Sequence, residues 1–294
     1  MQKISTLIVL IAIITLSSCR FNQSVKKDLI TGAYSRGDGI GVDAITIEIN
    51  GETDNKNKFV YGQNVSLVFN NVTGLTNSNG KTFPKLLLYV LKNEKDTVLY
   101  NPNLLKSLTN GTEASPLRLK ANFRTALPHQ SNEKYQVFIE ITDKKGDGKF
   151  NYELPFVVKE NDLLDVKSKG IDYSNIYLWN ETLKQPVLDS NVSSEHLFIL
   201  ILNDIEGLEL VKEKVFPIFS LNLTDNKGKK IISDPNLLSA YDEVGVSPKE
   251  LKNQVTAKLT FTKGAINNPY KLSAILKDKN STKEIYISTE LYIN

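Results

Sequence analysis

The sequence predicts an all-β fold built from two tandem, homologous β-sandwich domains, and two observations lead to that prediction. Apolar and β-branched residues come in short runs separated by turn residues, and no amphipathic pattern lasts long enough for a full-length helix. Residues 70–105 also align with residues 203–238 without a gap, and they agree at 12 of 36 positions. Average composition would give about two such matches by chance. We therefore infer that one domain has been duplicated.

The residues that the two copies share are glycine, proline, asparagine and apolar residues. The matches include Gly74 with Gly207, Phe83-Pro84 with Phe216-Pro217, Pro102-Asn103-Leu104-Leu105 with Pro235-Asn236-Leu237-Leu238, and, after small gaps, Ser115-Pro116 with Ser247-Pro248 and Asp143 with Asp278. The duplication therefore preserved packing and turn chemistry, as a scaffold requires. It predicts one domain over residues 28–159 and a second over residues 160–294.

In the first copy, seven runs have the composition and length of β-strands. They are Ala44 to Ile49, Val65 to Phe69, Lys85 to Leu91, Thr97 to Tyr100, Leu117 to Ala126, Tyr135 to Thr142 and Phe150 to Val158. Turn signals separate them at Asn50-Gly51, Asn79-Gly80, Asn110-Gly111 and Gly146-Asp147-Gly148. Seven short strands are typical of an immunoglobulin-like sandwich.

The second copy repeats this plan with seven runs of its own. They are Asn175 to Trp179, Leu197 to Leu202, Ile218 to Thr224, Lys230 to Ile232, Val255 to Thr262, Tyr270 to Leu276 and Glu284 to Ile293. Almost no linker separates the copies, because Lys159 is followed directly by Glu160-Asn161 and the apolar pair Leu163-Leu164. We expect two sandwiches held in a fixed arrangement rather than two freely moving beads.

One short helix per copy is also predicted, at Asn101 to Leu105 and at Asp234 to Leu238. In both places a capping side chain precedes a proline whose missing N–H costs nothing in the first turn of a helix. The paired leucines that follow would close one end of the sandwich. We interpret this repeated motif as a structural crossover between sheets and not as a binding site.

The first nineteen residues have the three parts of a secretory leader. Lys3 gives the positive start, residues 4–14 form an apolar core, and small residues precede Cys19 in Leu16-Ser17-Ser18-Cys19. Eleven helical residues span roughly 16 Å, which is too short for a bilayer core of about 30 Å. The segment resembles the lipobox of bacterial lipoproteins. That resemblance implies cleavage after residue 18, acylation of Cys19 and a lipidated tether over residues 19–27; the alternative is a plain secretory leader with an incidental cysteine.

Composition excludes several classes of function. Removal of the leader takes away Lys3 and leaves 35 basic side chains against 33 acidic ones, so the mature chain lacks the basic excess of a nucleic-acid-binding protein. Cys19 is the only cysteine, so disulfides are excluded and stability must come from burial. Arg20, Lys26 and Lys27 follow the anchor, where they either contact anionic head groups or belong to a solvated tether.

The search for catalytic chemistry yields little. His129 and His196 are the only histidines, neither has a counterpart in the other copy, and no nucleophile elbow, zinc-protease helix or phosphate-binding loop occurs. Residues 143–148 superficially match a calcium loop, but Lys145 and Leu154 replace two required carboxylates, which favours a β-hairpin turn. We expect no enzyme activity, cofactor or metal; a carboxylate-based hydrolase remains a minor alternative.

Tyr177 and Trp179 are the candidate ligand-binding residues. They alternate with Ile176 and Leu178, so on a strand the two rings share one face and the two aliphatic side chains share the other. An offset of 131 between the copies would place the rings outside as a platform for sugar stacking, whereas an offset of 130 would bury them. The sequence does not decide between these two registers.

The function predicted from the sequence is a membrane-anchored cell-envelope lipoprotein that acts as a non-enzymatic binding or scaffold module. Its likeness to uncharacterised envelope lipoproteins of the Bacteroidota, in the lipobox and the Asn-, Lys- and Ile-rich β domains, implies an outer-membrane location. The residues after Cys19 lack an acidic export cluster, which favours a periplasm-facing position. Expected partners are membrane lipid, through acylated Cys19, and another envelope protein or a glycan. The alternative function is a glycan-binding accessory lipoprotein that uses Tyr177 and Trp179.

Overall fold

The computed structural model describes residues 23–49, 51–128, 133–261 and 267–294. The first copy consists of strands in two sheets. They are β1 (Gln23–Lys27), β2 (Tyr34–Asp38), β3 (Gly41–Ile49), β4 (Glu52–Thr53), β5 (Lys58–Val60), β6 (Asn64–Thr73), β7 (Pro84–Lys92), β8 (Asp96–Asn101), β9 (Leu119–Arg124), β10 (Tyr135–Asp143) and β11 (Lys149–Lys159). The larger sheet has the order β1-β2-β11-β10-β7-β8, with β5 parallel to the end of β11, and the smaller has the order β4-β3-β6-β9.

The second copy is built in the same way and adds two short helical segments. Its strands are β12 (Asp165–Lys169), β13 (Asn175–Asn180), β14 (Gln185–Pro186), β15 (Asn191–Val192), β16 (Phe198–Asn203), β17 (Pro217–Thr224), β18 (Lys230–Asp234), β19 (Val255–Leu259), β20 (Tyr270–Asp278) and β21 (Glu284–Ile293). A single 3₁₀ turn covers Ser239–Tyr241, and helix α1 covers Pro248–Asn253.

The two copies have matching sheets, which confirms the predicted all-β fold of two tandem sandwiches. The order β12-β21-β20-β17-β18 repeats β2-β11-β10-β7-β8, and β14-β13-β16-β19 repeats β4-β3-β6-β9. Each of the fourteen predicted runs contains one of these strands, although Thr262, the last residue of one run, lies outside the described residues. The pairs β2/β12, β4/β14 and β5/β15, together with β1, were not predicted.

Each sandwich has its own apolar core, which forms because strand residues alternate between the inside and the outside of a sheet. In β10 every second side chain from Tyr135 to Asp143 is buried, and β17 shows the same alternation. Phe59, Phe123 and Phe156 contact one another in the first core, with ring centroids 5.3 to 6.3 Å apart. Burial of each such side chain contributes roughly 1.5–3 kcal/mol, which makes up for the absent disulfides.

The tether predicted over residues 19–27 is wrong for its last five residues. Gln23–Lys27 forms β1, which pairs antiparallel with β2 from Gln23 opposite Asp38 to Lys27 opposite Tyr34. The polar composition of this segment hid the strand, because all five side chains are exposed and only one of them is apolar. The first sandwich therefore begins at Gln23, and only three residues separate it from Cys19.

The predicted helices at residues 101–105 and 234–238 are also wrong. Asn103 instead accepts hydrogen bonds at Oδ1 from the backbone N–H of Leu86 (3.3 Å) and of Leu105 (3.1 Å). Asn236 repeats this pattern in the second copy with Phe219 (3.1 Å) and Leu238 (2.9 Å). These contacts tie each segment to its neighbouring strand, so each segment forms a turn, and in the second copy the 3₁₀ turn begins only after it, at Ser239.

A buried carboxylate performs a similar structural role in both copies. Asp143 accepts hydrogen bonds from the backbone N–H of Thr76 at Oδ2 (2.6 Å) and of Lys145 at Oδ1 (2.9 Å). Asp278 accepts equivalent bonds from Glu209 (2.8 Å) and Asn280 (3.1 Å). Burial by itself would raise the pKa of Asp143, but the hydrogen bonds from Thr76 and Lys145 outweigh burial and hold that pKa below its ordinary value.

We expect Asp143→Ala to lower the free energy of unfolding at pH 7 by about 1–3 kcal/mol, because it removes the charged acceptor of the Thr76 and Lys145 backbone N–H groups. A lowered native-state pKa stabilises the fold above the unfolded-state value of about 3.9, and this contribution is lost as the pH falls through the native pKa. Urea unfolding at pH 7 and pH 3 should therefore show a smaller difference between wild type and variant at pH 3. Asp147→Ala, at an exposed position in the same turn, is the control; equal effects of the two substitutions would contradict this role.

Candidate functional site

Strand β13 carries the two candidate ligand-binding residues on its outer face. Ile176 and Leu178 are buried in the core of the second sandwich, while Tyr177 and Trp179 lie half-buried on the opposite side of the strand. Burial of both rings in the sandwich core, which the sequence left open, is therefore not what occurs. The strand presents the rings outward because its aliphatic pair fills the core.

The pairing of strands fixes the register between the copies. Asn175 lies opposite Asn203, and Ala44 lies opposite Asn70 in the first copy. Since Asn70 and Asn203 are matched residues of the duplication, Ala44 corresponds to Asn175 with an offset of 131. This is the register in which the aromatic rings face outward.

Tyr177 is engaged in the contact between the two copies. Its ring packs against that of Tyr61, in the turn after β5, with centroids 5.0 Å apart and an interplanar angle of 47°. Burial raises the pKa of the Tyr61 hydroxyl, and the neighbouring Tyr177 hydroxyl raises it further. Ile201, opposite Tyr177 on β16, is also buried on this outer face. The structure therefore separates the predicted pair, because Tyr177 packs against the first sandwich.

Further contacts between the copies surround the two tyrosines. Gly62 has a φ of +90°, and a Cβ at this position would lie 2.6 Å from the Pro186 ring. The Gly62 backbone therefore lies closer to Pro186 than any residue with a side chain would allow. The Arg124 guanidinium donates a hydrogen bond to Gln185 Oε1 (3.3 Å). One end of the first sandwich thus packs on the outer face formed by β13 and β14.

Trp179 is the aromatic ring that remains on the surface of this face. Its Nε1–H donates to Glu181 Oε2 (2.8 Å), and the Lys184 ammonium binds the other oxygen of the same carboxylate. The hydrogen bond from Lys184, followed by that from Trp179, lowers the pKa of Glu181, so this carboxylate is ionised at neutral pH. In strand register Trp179 lies beside Ile199, which is paired in turn with Lys258.

The corresponding position in the first copy has different chemistry. Glu48 takes the place of Trp179, and its two carboxylate oxygens accept hydrogen bonds from Arg118 Nη2 and Lys120 Nζ, both at 2.7 Å. The hydrogen bond from Lys120 is the main reason that the pKa of Glu48 is lowered. The sequence analysis missed this ion-paired cluster, because its members are on two strands about seventy positions apart in the chain.

A groove of about 560 Å³ lies where the two copies meet. Its lining combines five amide side chains with apolar ones, and residues of both copies contribute: Asn64, Arg124, Asn180, Leu183, Gln185, Pro186, Val187, Leu188, Asp189, Asn191, Val192, Ser193, His196, Phe198 and Asn294. Within it His196 Nδ1 lies 3.0 Å from Asn180 Nδ2, so an amide, and not a carboxylate, orients the imidazole. Planar polar side chains in this arrangement are suited to hydrogen-bonding a polar ligand.

A second cavity between the copies has a volume of about 340 Å³ and is lined by Tyr61 and Lys92 from the first copy and by Asn175 and Asn203 from the second. The Asn175 side chain is buried, at 3 % exposed, and its nitrogen has no hydrogen-bond partner within the part of the chain that the structure describes. A buried amide donor without a partner is costly.

Other predicted positions fall elsewhere. Cys19, its leader and His129 lie outside the described residues. Both oxygens of Asp143 bind backbone N–H groups, and across residues 23–49, 51–128, 133–261 and 267–294 no group of three or more His, Cys, Asp or Glu side chains is placed to hold a metal ion. Within the same ranges no helix is long and apolar enough to cross a membrane.

Comparison with known proteins identifies no family. No family model and no curated protein matches the chain. Among solved structures, it is similar to the fibronectin(III)-like modules of Clostridium thermocellum CbhA, with 11 % identity over 84 % of this chain and 94 % of that one and a TM-score of 0.21. A structure titled pT26-6p matches with 8 % identity over 92 % of this chain and 65 % of that one and a TM-score of 0.22. The three N-terminal domains of the bacteriophage RB49 capsid protein Hoc match with 10 % identity over 90 % of this chain and 78 % of that one and a TM-score of 0.20. At these TM-scores, none of the three bears on what this chain binds.

A double-mutant cycle on Tyr61→Ala and Tyr177→Ala tests the contact between the copies. Because aromatic pairs contribute about 0.5–1.5 kcal/mol beyond the area they bury, we expect a coupling of that size between the two substitutions. Urea unfolding of the wild type, both single variants and the double variant gives this value. Tyr100→Ala, at an exposed position of β8, serves as the control partner for Tyr177→Ala and should show no coupling. Additive effects of Tyr61→Ala and Tyr177→Ala would contradict the packing of the two rings.

Proposed function

We propose that this protein is a cell-envelope lipoprotein, held to a membrane by acyl chains on Cys19, that serves as a non-enzymatic binding or scaffold module for another envelope component. The main support is the use of the polar residues that both copies retain. Asn103 and Asn236 bind backbone N–H groups of a neighbouring strand, and Asp143 and Asp278 bind those of their loops. The duplication therefore preserved polar residues that stabilise the fold of each sandwich, as expected for a scaffold.

The chemistry of the anchor explains how such a module stays in place. Each buried CH₂ contributes about 0.8 kcal/mol, and a single acyl chain gives only marginal, reversible binding, so the two or three chains of a bacterial lipoprotein make a lasting attachment. Gln23, the first residue of β1, follows Cys19 by four positions, which extend at most about 14 Å, so the first sandwich stays close to the lipid surface. We place the protein on the outer membrane, facing the periplasm.

A glycan-binding role is the second candidate, and two observations favour it. Trp179 remains on the outer face of β13, where an indole ring offers a stacking surface to a sugar. The groove between the copies has five amide side chains in its lining and a volume of about 560 Å³, enough for a short oligosaccharide. Trp179 does not line the groove, so in this role the indole ring and the groove would be two separate contact points, while Tyr177 would hold the two sandwiches in position.

The anchor is tested by Cys19→Ser. We expect the wild-type protein to fractionate with membranes and to incorporate radiolabelled palmitate, and the variant to do neither, because its hydroxyl cannot form the thioether that carries the lipid. Ser18→Ala, which keeps a small residue before the cleavage site, is the matched control and should behave as wild type. Palmitate on the Cys19→Ser variant, or an unmodified Cys19 in the mature wild type by mass spectrometry, would contradict the proposed anchor.

Pull-down of the solubilised protein then identifies its partner.

The glycan role is tested by the fluorescence of Trp179, the sole tryptophan. Titration with oligosaccharides from envelope polysaccharides should shift its emission and protect it from acrylamide, because a stacked sugar excludes water from the indole. Trp179→Ala should weaken binding by roughly tenfold, the equivalent of about 1.4 kcal/mol. Tyr286→Ala, which removes a ring from a strand of the other sheet, is the control. Unchanged affinity of the Trp179→Ala variant, or no binding of any oligosaccharide, would remove this candidate.

A further inference from the structure

The turn between β1 and β2 exposes two adjacent aliphatic side chains almost completely. Leu29 is 89 % exposed and Ile30 is 93 % exposed. Val25, on the neighbouring strand β1, is 61 % exposed. Burial of such a side chain contributes roughly 1.5–3 kcal/mol, and none of the three contributes that stabilisation to the fold. A cluster of this kind is typical of a surface that contacts an apolar phase.

The turn holds these side chains outward by an internal set of hydrogen bonds. Asp28 accepts hydrogen bonds at Oδ1 from the Ile30 N–H (2.8 Å) and at Oδ2 from the Thr31 hydroxyl (2.7 Å). Its own N–H donates to the Ala33 carbonyl (2.8 Å), and Asn57 Nδ2 donates to the Thr31 carbonyl (3.0 Å). The exposure of Leu29 and Ile30 is therefore built into an ordered turn.

Basic side chains surround this apolar cluster. Lys26 and Lys27 directly precede the turn, and Arg36 lies opposite Val25 on β2, so that Val25, Lys27 and Arg36 share the outward face of the sheet. All three basic side chains are exposed; Lys26 Nζ donates a hydrogen bond to the Asp43 carbonyl (3.4 Å), and none of the three forms an ion pair with a residue that the structure describes. Aliphatic groups bordered by unpaired cations match the surface of an anionic bilayer, which attracts each cation with about 1 kcal/mol.

The position of the proposed anchor places this hairpin next to lipid. Cys19 precedes Gln23 by four residues, which extend at most about 14 Å, and the five residues of β1 span roughly 16 Å. Leu29 follows Cys19 by ten residues, so the turn stays within about 35 Å of the acylated residue. The hairpin reaches the bilayer when β1 runs along the membrane surface.

We propose that the Leu29-Ile30 turn inserts into the membrane interface as a second attachment point, with Lys26, Lys27 and Arg36 on anionic head groups. This inference rests on the proposed lipid anchor, which holds the hairpin near the bilayer. One edge of the first sandwich then lies on the membrane, so the acyl chains and the turn together fix its orientation. The insertion involves no covalent step, only the transfer of aliphatic side chains from water to lipid.

The test uses the mature chain from Arg20 onward, which contains no cysteine, with an N-terminal hexahistidine tag in place of the acylated residue. The tag attaches the protein to vesicles of phosphatidylcholine and phosphatidylglycerol that carry a nickel-chelating lipid. A single cysteine at Leu29→Cys is labelled with an environment-sensitive nitrobenzoxadiazole fluorophore. The matched control is Leu210→Cys, a leucine of the second copy that is 62 % exposed.

We expect the probe at position 29 to shift to shorter wavelength on the vesicles and to be several-fold less accessible to iodide than the probe at position 210. Replacement of Lys26, Lys27 and Arg36 by glutamine, or omission of phosphatidylglycerol, should reduce this protection, and added salt should do the same. Equal iodide quenching at positions 29 and 210 would overturn the inference. Because the tag replaces the acyl chains, that outcome would leave the anchor itself to be judged by the Cys19→Ser fractionation.

Discussion

The packing of Tyr61 on Tyr177 is the contact on which the arrangement of the molecule depends. Two sandwiches joined by so few residues would otherwise be free to change their orientation. With the rings 5.0 Å apart and Gly62 against Pro186, the end of the first sandwich is held on the outer face of the second. The groove of about 560 Å³ exists because of this contact, since its walls come from both copies. The same contact removes Tyr177 from the surface and leaves Trp179 on it.

The duplication explains which features are shared and which are not. Asparagines and aspartates that bind backbone N–H groups occur in both copies with the same geometry, because each sandwich needs them to fold. The two copies differ in chemistry on the outer face of the smaller sheet, where Thr46 and Glu48 of the first copy correspond to Tyr177 and Trp179 of the second. In the first copy this face carries the ion-paired carboxylate of Glu48. In the second copy it contacts the first sandwich through Tyr177 and presents the indole ring of Trp179. Specialisation after duplication therefore changed surfaces and kept cores.

The sequence predicted the fold well because its strongest signals are local. Runs of apolar residues located fourteen of the strands, whereas β1, β2 and β12 were missed because their segments, QSVKK, YSRGD and DVKSK, contain a single apolar or aromatic residue each. The helices predicted at Asn101 and Asp234 were wrong because these two side chains accept a hydrogen bond from the backbone N–H two residues later, which closes a turn. The contact between the two copies could not be predicted from the sequence, because Tyr61, Arg124 and Gln185 are far apart in the chain and follow no periodic pattern. The direction in which the Tyr177 and Trp179 rings face depends on whether the two copies are offset by 130 or by 131 residues. Only the pairing of strands in the structure decides between these two values.

The central claim is that the two sandwiches form one rigid unit through the contact of Tyr61 with Tyr177. Residual dipolar couplings of backbone amides, measured for both sandwiches in one weakly aligned sample of the soluble mature chain, test it most directly. A fixed arrangement predicts a single alignment tensor that fits the couplings of both copies in the orientation described. Two tensors of different magnitude or orientation would show that the copies move independently and would contradict the claim.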